Sequence, residues 1–389
     1  MFIDVVVLFA FCLLAYTWLA YPVLISLFGA ASRRDAASGT ADSTPALGVL
    51  IAAHNEETHI EDRVRNLLAS DYPGDRLAIY IGVDGSHDRT AEIVRSLAAA
   101  DARIHARIFD EQRGKIGVLR DLVADCREPL LVFTDANTEF EPNALRLLVR
   151  HFEDAGIGGV CGRLVLREHD GSDTDEGLYW RWETRFKILE SRLDSCLGAN
   201  GAIYAIRREL FWNDIPANTI VDDLVIGMKV REQGRRMIYD HDAVAHEEMP
   251  ASVSDEWGRR VRIGAGDFQA LHLCRRSLSP RLGIFAWMFW SHKVLRWLTP
   301  HLLILLLLDA LTYWIGWQHG TPIARFHLVF GVPILILAMV GFFARGRRLP
   351  GFAIPTGCLY FFTMQLALLF GFARYCRGDL TGKWKRTSR

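Results

Sequence analysis

From Leu47 to about residue 275 the chain alternates short apolar runs with stretches whose apolar residues recur at helical spacing. "LGVLIAA" (47–53) is followed by a helical pattern near 57–69, and "LAIYIGV" (77–83) by one near 90–100. "ARIHARIF" (102–109) leads into a pattern near 116–126, and "PLLVFT" (129–134) into one near 142–153. Near-continuous apolar runs read as strands buried on both faces, and their alternation with helices predicts a doubly wound α/β sheet. Ligands of such sheets bind beyond the C-terminal strand ends. Polar residues collect at those ends: His54-Asn55-Glu56, Asp84-Gly85-Ser86 and Asp135-Ala136-Asn137. Three clusters on one rim predict one site.

The pattern changes at both ends of the chain. Val5 to Ser32 carries no charged residue, long enough to span a bilayer's hydrocarbon core. Asp4 is the only early charge and Arg33-Arg34 follow the run, which favours an uncleaved anchor (1–31) whose C-terminal side is cytoplasmic. Residues 32–46 are small and polar and read as a linker. Three apolar stretches, 298–318, 326–344 and 350–373, predict C-terminal spans within 298–373, interrupted by Asp309 and Pro333. Residues 279–297 mix Trp287, Trp290 and Trp297 with His292, Lys293 and Arg296, which predicts an amphipathic helix at the membrane interface. Three such spans place the basic tail (374–389) outside, against the positive-inside tendency, while Arg345, Arg347 and Arg348 fall inside. The soluble domain is thus expected over 47–278, in an integral protein of the cell or inner membrane with that domain cytoplasmic.

Composition narrows the chemistry. Half the residues are hydrophobic and the formal net charge is zero, so no global field draws the chain to nucleic acid. The seven cysteines are scattered without a CxxC pair, which excludes a thiolate metal site and fits a reduced compartment. No GxGxxG or GxxxxGK[ST] follows the first strand. A phosphate-bearing ligand then needs a metal and basic side chains from elsewhere, and a nucleotide-driven transporter lacks its phosphate loop. Asp135 is a hard carboxylate suited to Mg²⁺ or Mn²⁺. Arg113 and Lys115 in "QRGKIG" sit on a glycine-containing turn before a helix, where phosphate or sugar hydroxyls bind. His246-Glu247-Glu248 offers further ligand types in what reads as a solvated loop.

In order along the chain, "AAHNEE" (52–57), "VDGSHD" (83–88), "GK" (114–115), "TDAN" (134–137), "GANGAIYAIRRE" (198–209), "VDD" (221–223) and "RRVRIGAGDFQ" (259–269) resemble the motifs of family 2 glycosyltransferases. These are inverting enzymes of GT-A fold (nucleotide-diphospho-sugar transferase, Rossmann-like). The likeness is to the membrane-embedded group of hyaluronan, chitin and cellulose synthases, and covers about 50–270. The resemblance implies that Ala53, Glu56 and Asp84 line the uracil and ribose pocket of a UDP-sugar, and that Lys115 contacts the nucleotide. It implies that Asp135 and Asn137 occupy the Asp-x-Asp metal positions, with Asp135 binding the cation. It puts Gly198, Asn200 and Gly201 near donor sugar and acceptor. Asp223 matches the last residue of the family's Thr-Glu-Asp motif, the general base, and Arg260 and Arg262 fall near the pyrophosphate-binding Gln-x-x-Arg-Trp region.

Three departures accompany the likeness. Asn137 replaces the second aspartate, Val221-Asp222 replace Thr-Glu, and Trp257-Gly258-Arg259-Arg260-Val261 stands where Gln-x-x-Arg-Trp is expected. The implied activity is metal-dependent hexosyl transfer from a nucleotide sugar to a lipid-linked or growing polysaccharide acceptor, in exopolysaccharide or cell-envelope glycan synthesis. Partners implied are the donor, the acceptor, the lipid bilayer and export or assembly proteins, with no nucleic acid. Single addition to a lipid carrier and a catalytically weak assembly partner that retains the fold are the other readings.

Overall fold

The computed structural model describes residues 2–32, 43–167, 178–248, 253–314, 331–343 and 353–380, together with Arg325 and Val329. Its contacts divide the chain into two bodies, one of residues 25–256 and 269–288 with the final residues, the other of 1–24, 257–268 and 289–379.

The first body is built on an eight-stranded sheet in the order β3-β2-β1-β4-β7-β6-β8-β5. The four expected strands are present as β1 (Leu47–Ala53), β2 (Leu77–Asp84), β3 (Ile104–Phe109) and β4 (Leu130–Thr134). They pair in parallel, with Leu47 opposite both Leu77 and Leu130. The connecting helices are α3 (Ile60–Leu68), α4 (Thr90–Ala100) and α5 (Lys115–Asp125), and α6 (Ala144–Val149) follows β4. α1 and α2 belong to the N-terminal helix described below. A strand's side chains alternate between faces. Val49, Ile51, Ile79, Ile81 and Val132 therefore share one core with Ile60, Val64 and Leu67 of α3, Val94 of α4 and Leu145 and Leu148 of α6. The opposite face of the same strands packs under α5. Both faces being covered explains why the strands read as unbroken apolar runs.

The second half of the sheet departs from the doubly wound expectation. β5 (Thr138–Phe140), β6 (Ile157–Arg167), β7 (Tyr204–Arg207) and β8 (Arg236–Glu248) form a mixed half, in which β7 is antiparallel to β4 and β6, and β8 is parallel to β6. α7 (Leu178–Leu193) and α8 (Asp222–Glu232) connect these strands. The antiparallel β7 matters for the site. Its first residue, Tyr204, pairs with Phe133 near the C-terminal end of β4, so the loop before it arrives on the same rim as Asp135. His246, expected in a loop, lies in β8 with its Nε2 3.3 Å from Glu141.

The second body is helical, and the helices described next include residues 25–31, 253–256, 269–273 and 284–288 of the first body. α1 (Phe2–Ala15) and α2 (Tyr21–Ala31) are joined without a break through a π turn, Tyr16–Ala20. α9 (Val253–Leu273) follows the sheet, and α10 (Ile284–Met288) runs through a second π turn into α11 (Leu295–Trp314). The interfacial helix expected over 279–297 is therefore no separate element from Ile284 onward, because no helix break falls at residue 297. α12 (Val332–Phe343) and α13 (Ala353–Cys376) complete the chain. Among the described residues, three helices are long and apolar enough to cross a membrane: Asp4–Ala31, Ile284–Leu311 and Ile354–Cys376. The expected span over 326–344 corresponds to the shorter Val332–Phe343, and residues 344–350 beside it lie outside the described residues. So do 33–42 of the linker, 315–318 and 381–389 of the tail.

Polar pairs and small residues hold this body together. Tyr16 Oη lies 2.7 Å from Ser291 Oγ, and Trp18 Nε1 donates to Thr299 Oγ1 at 3.2 Å. α9 and α13 cross where Gly264 faces Gly371. A Cβ on Gly371 would stand 2.6 Å from the Gly264 carbonyl carbon, so the close approach requires glycine, as is common between helices in lipid.

Candidate active site

The ends of β1 and β2 are locked to each other. Asn55, in the left-handed region at φ 56°, donates its N–H to Ser86 Oγ at 2.9 Å and accepts the His87 N–H at its Oδ1. The Glu56 N–H donates to Thr90 Oγ1 at 2.8 Å, and His54 Nδ1 lies 2.6 Å from the Asp84 carbonyl. Ala53 is fully buried and Glu56 half-buried on this rim. Much of the polarity read as ligand-facing thus ties the two loops together.

Asp84 shows the same economy. It is fully buried, and its two carboxylate oxygens accept the N–H groups of Arg113 (2.6 Å) and Gly114 (2.9 Å). Both oxygens bind the turn before α5, so Asp84 holds the turn that places Lys115.

Lys115 opens α5 and extends to the end of β4. Its Nζ lies 2.8 Å from Asp135 Oδ1 and 3.7 Å from Asp222 Oδ2. Burial alone would push this amine down, but Asp135, Asp222 and Asp223 outweigh it and raise it above an ordinary lysine. Asp222 and Asp223 form the first turn of α8, where a carboxylate meets the positive end of the helix dipole. Asp222 is buried, and burial pushes it up to about 6, with Lys115 opposing and Asp223 and Asp135 adding to the rise. Asp223 is half-exposed; its Oδ2 accepts the Gly201 N–H at 2.8 Å and its Oδ1 accepts the Leu224 N–H.

The 198–203 loop completes the rim. Asn200 makes three hydrogen bonds: its N–H to Cys161 Sγ, its Nδ2 to the Gly162 carbonyl at 3.1 Å, and its Oδ1 to Lys187. These bonds set the loop. Thr134 Oγ1 donates to the Ala202 carbonyl at 2.8 Å and accepts from Arg63 Nη2 at 3.0 Å, joining β4, the loop and α3. Gly201 is at the centre: a Cβ there would lie 3.4 Å from Asp223 Oδ2, 3.7 Å from Lys115 Nζ and 3.8 Å from Asp135 Oδ2. Its missing side chain leaves open the space that those three groups share.

The expected residues do not all gather here. Lys115, Asp135, Asp223 and Gly201 converge, with Asp222. Asn137 turns its Nδ2 to Glu247 Oε1 at 3.2 Å, across the pairing of β5 with β8. Arg260 and Arg262 lie on α9, in the body with the apolar helices, where the Arg260 guanidinium sits 5.3 Å from the Tyr360 ring centre. Sequence reasoning missed three groups. Arg63 is buried behind Thr134, its guanidinium 4.1 Å from the Phe140 ring centre, and burial lowers it to about 9 against the pull of Asp135. Asp222 was passed over for its neighbour. Tyr204 is buried beside Phe133, its ring stacked at 4.7 Å, and its hydroxyl has no hydrogen-bond partner among the described residues.

Three carboxylates around one lysine leave net negative charge, and among the described residues the buried Asp222 Oδ2 has no hydrogen-bond partner. Hard oxygen donors in electrostatic deficit fit a divalent cation. A second group, Asp240, His241 and Asp242, has ligand atoms within 4.8 Å of one another and could hold a metal. There, however, Asp240 Oδ2 already meets Arg150 Nη2 at 2.8 Å and His151 Nε2 at 2.7 Å, so its charge is largely offset.

A parallel half-sheet joined to a mixed half, with an acid–lysine cluster on its rim, is the arrangement of the GT-A fold. Residues 48–214 match the family Glycosyl transferase family 2, and the chain carries a domain of that family. It is 26% identical over 246 residues to "Probable glycosyltransferase YdaM" of Bacillus subtilis, covering 57% of this chain and 55% of that protein. It is 24% identical over 247 residues to the poly-beta-1,6-N-acetyl-D-glucosamine synthase of Staphylococcus aureus, covering 59% of this chain and 56% of that protein. The chain thus spans about half the length of the curated relatives it matches. Among solved structures, the mannosyltransferase PcManGT from Pyrobaculum calidifontis, in complex with GDP-Man and Mn²⁺, shares the fold. Its TM-score is 0.69 at 20% identity, over 96% of this chain and 99% of that one.

Proposed function

We propose that the protein is a membrane-anchored, inverting hexosyltransferase that moves a sugar from a nucleotide sugar, first among candidates a UDP-sugar, to a glycan or lipid-linked acceptor. The observation that carries this reading is the convergence of Lys115, Asp135, Asp222, Asp223 and the Gly201 backbone on one rim of the parallel strands. The three apolar helices support an acceptor presented at the bilayer, and Arg33-Arg34 after the first of them support a cytoplasmic catalytic domain.

Asp135 is the proposed ligand for Mg²⁺ or Mn²⁺, with Asn137 beside it. A bound divalent ion would supply charge neutralisation for the donor's diphosphate. Asp223 is the proposed general base. Its accessible carboxylate, held by the Gly201 N–H, takes the proton of the acceptor hydroxyl as that oxygen attacks the anomeric carbon. The bond from that carbon to the diphosphate breaks on the opposite face, the nucleoside diphosphate leaves, and the configuration inverts. Lys115 offsets the charge that develops on the leaving group. Asp222 is less suited as base because it is 7% exposed and behind Lys115.

The test is a screen of labelled UDP-sugars and GDP-mannose against membranes containing the full chain, with Mn²⁺ present and product size measured. Transfer from one donor is expected, lost in Asp135→Ala and in Asp223→Asn, with donor binding kept in the latter. No transfer or hydrolysis of any donor, with Asp223→Asn indistinguishable from wild type, would sink the reading. Product size separates polymerisation from single addition.

A further inference from the structure

Away from the acid cluster, the body that holds the sheet carries a basic cleft. It measures ≈ 290 Å³ and is lined by Trp212, Lys229, His272, Leu273, Arg275 and Arg276. That volume sits just under the range of about 300–1,000 Å³ for whole small-molecule sites, and suits a headgroup-sized fragment better than a complete nucleotide sugar.

The charges in its wall are not equivalent. Lys229 Nζ donates to Glu232 Oε2 and to the Leu273 carbonyl, each at 2.7 Å, and lies 4.3 Å from the Trp212 ring centre. Glu232 Oε1 accepts the N–H and hydroxyl of Ser277 at 3.0 and 2.9 Å. Lysine and glutamate therefore cancel inside the wall. His272, Arg275 and Arg276 are exposed, and among the described residues neither arginine is held by a carboxylate. The open side of the cleft is left positive, with two guanidinium groups of the kind that grip phosphate oxygens through paired N–H donors.

Chain continuity says where that phosphate comes from. Arg275 and Arg276 open a 3₁₀ turn, Arg275–Leu278, a few residues before Ile284, the first residue of a candidate span. That turn packs on α10 within the same body, and the Arg231 guanidinium lies 5.5 Å from the Phe285 ring centre, tying α8 to the start of the span. Phe28, near the end of the first candidate span, meets Trp287 edge-on at 6.0 Å in this body too. Tryptophans beside unpaired basic residues at the end of an apolar helix belong at the level of the headgroups, where basic clusters hold anionic lipid.

We propose that this cleft binds the phosphate of an anionic phospholipid headgroup, through Arg275 and Arg276 with His272 beside them, and so anchors the sheet-bearing body to the bilayer surface. The proposal does not depend on sugar transfer, and its test does not read it.

Full-length protein in detergent is unfolded thermally while titrated with dioctanoyl-phosphatidylglycerol, with dioctanoyl-phosphatidylcholine or with inorganic phosphate. The expected result is a saturable rise in melting temperature with the glycerol lipid alone. Each basic side chain near anionic lipid contributes about fivefold. Arg275→Gln with Arg276→Gln is therefore expected to need about thirty-fold more lipid for the same rise, while Arg65→Gln, also exposed, changes nothing. Native mass spectrometry of the wild type gives a second measurement should the double variant not fold, with retention of the glycerol lipid over the choline lipid expected. An equal rise with the choline lipid, an undiminished rise in the double variant, or no preferential retention would overturn the proposal. An equal rise with inorganic phosphate would show a soluble-phosphate site instead and would overturn the lipid assignment.

Discussion

Asp222→Asn tests the electrostatics of the rim cluster without touching the proposed base. Asp222 is 7% exposed and is pushed up from 3.8 to about 6, first by burial and then by Asp223 and Asp135, with Lys115 opposing. An acid raised in the folded state favours folding while it is protonated. That contribution is complete below the unfolded value near 4 and is lost as pH rises through about 6. A rise from 3.8 to about 6 corresponds to ~3 kcal/mol at ~1.4 kcal/mol per tenfold change in proton binding. Sharing of charge among three carboxylates and one lysine makes about 1–3 kcal/mol the expected range. The asparagine is neutral at every pH and keeps the shape. Thermal unfolding of the full chain in detergent, at pH 4.5 to 8, is the assay. The variant should match or fall below wild type at the acid end and exceed it at pH 8, the gap opening between about pH 4 and 6. Parallel curves across that window would refute the placement of Asp222 as a buried, charge-crowded acid.

Three further outcomes follow from the same geometry. Gly201→Ala puts a methyl in ordinary contact with Asp223, Lys115 and Asp135, so stability should hold within ~1 kcal/mol while transfer falls at least about tenfold; full activity would mean that the space is not used. Asp240→Ala strands Arg150 and His151 in a buried setting and should cost about 3–5 kcal/mol of stability while Mn²⁺ binding, read by electron paramagnetic resonance, survives; loss of Mn²⁺ in a folded Asp240→Ala protein would move the metal site there. Asn137→Asp sets a carboxylate where an amide now donates to Glu247 at 3.2 Å, and should lower stability by about 1–2 kcal/mol at pH 8 and less at pH 4.5; a pH-independent effect would show that the two side chains do not meet.

What was legible in the chain and what was not divide along a physical line. β1, β2 and β4 are buried on both faces, so each reads as an unbroken apolar run, and the polar residue after each is where a parallel sheet must open. Asp135 was read at such a strand end and Lys115 and Asp223 by motif order, and the structure brings the three together. The mixed half of the sheet was not legible, because β7 is only Tyr204–Arg207 and its direction depends on pairing with Phe133, far away in sequence. The roles of Asp84 and Asn200 were likewise hidden. A motif shows a carboxylate or an amide, but not that Asp84 binds the N–H groups of Arg113 and Gly114 or that Asn200 binds Lys187.

The sequence by itself determined the parallel half-sheet, the acid-bearing rim and the apolar helices, because periodicity and burial are local consequences of where apolar side chains recur. Only the tertiary structure decided which of two adjacent aspartates is buried and which is open, since a helix N-terminus presents both. It also decided that Asn137 faces Glu247 and that two arginines before Ile284 share a cleft with Trp212. Those outcomes rest on contacts between segments distant in the chain, where burial and charge act through space and no local pattern records them.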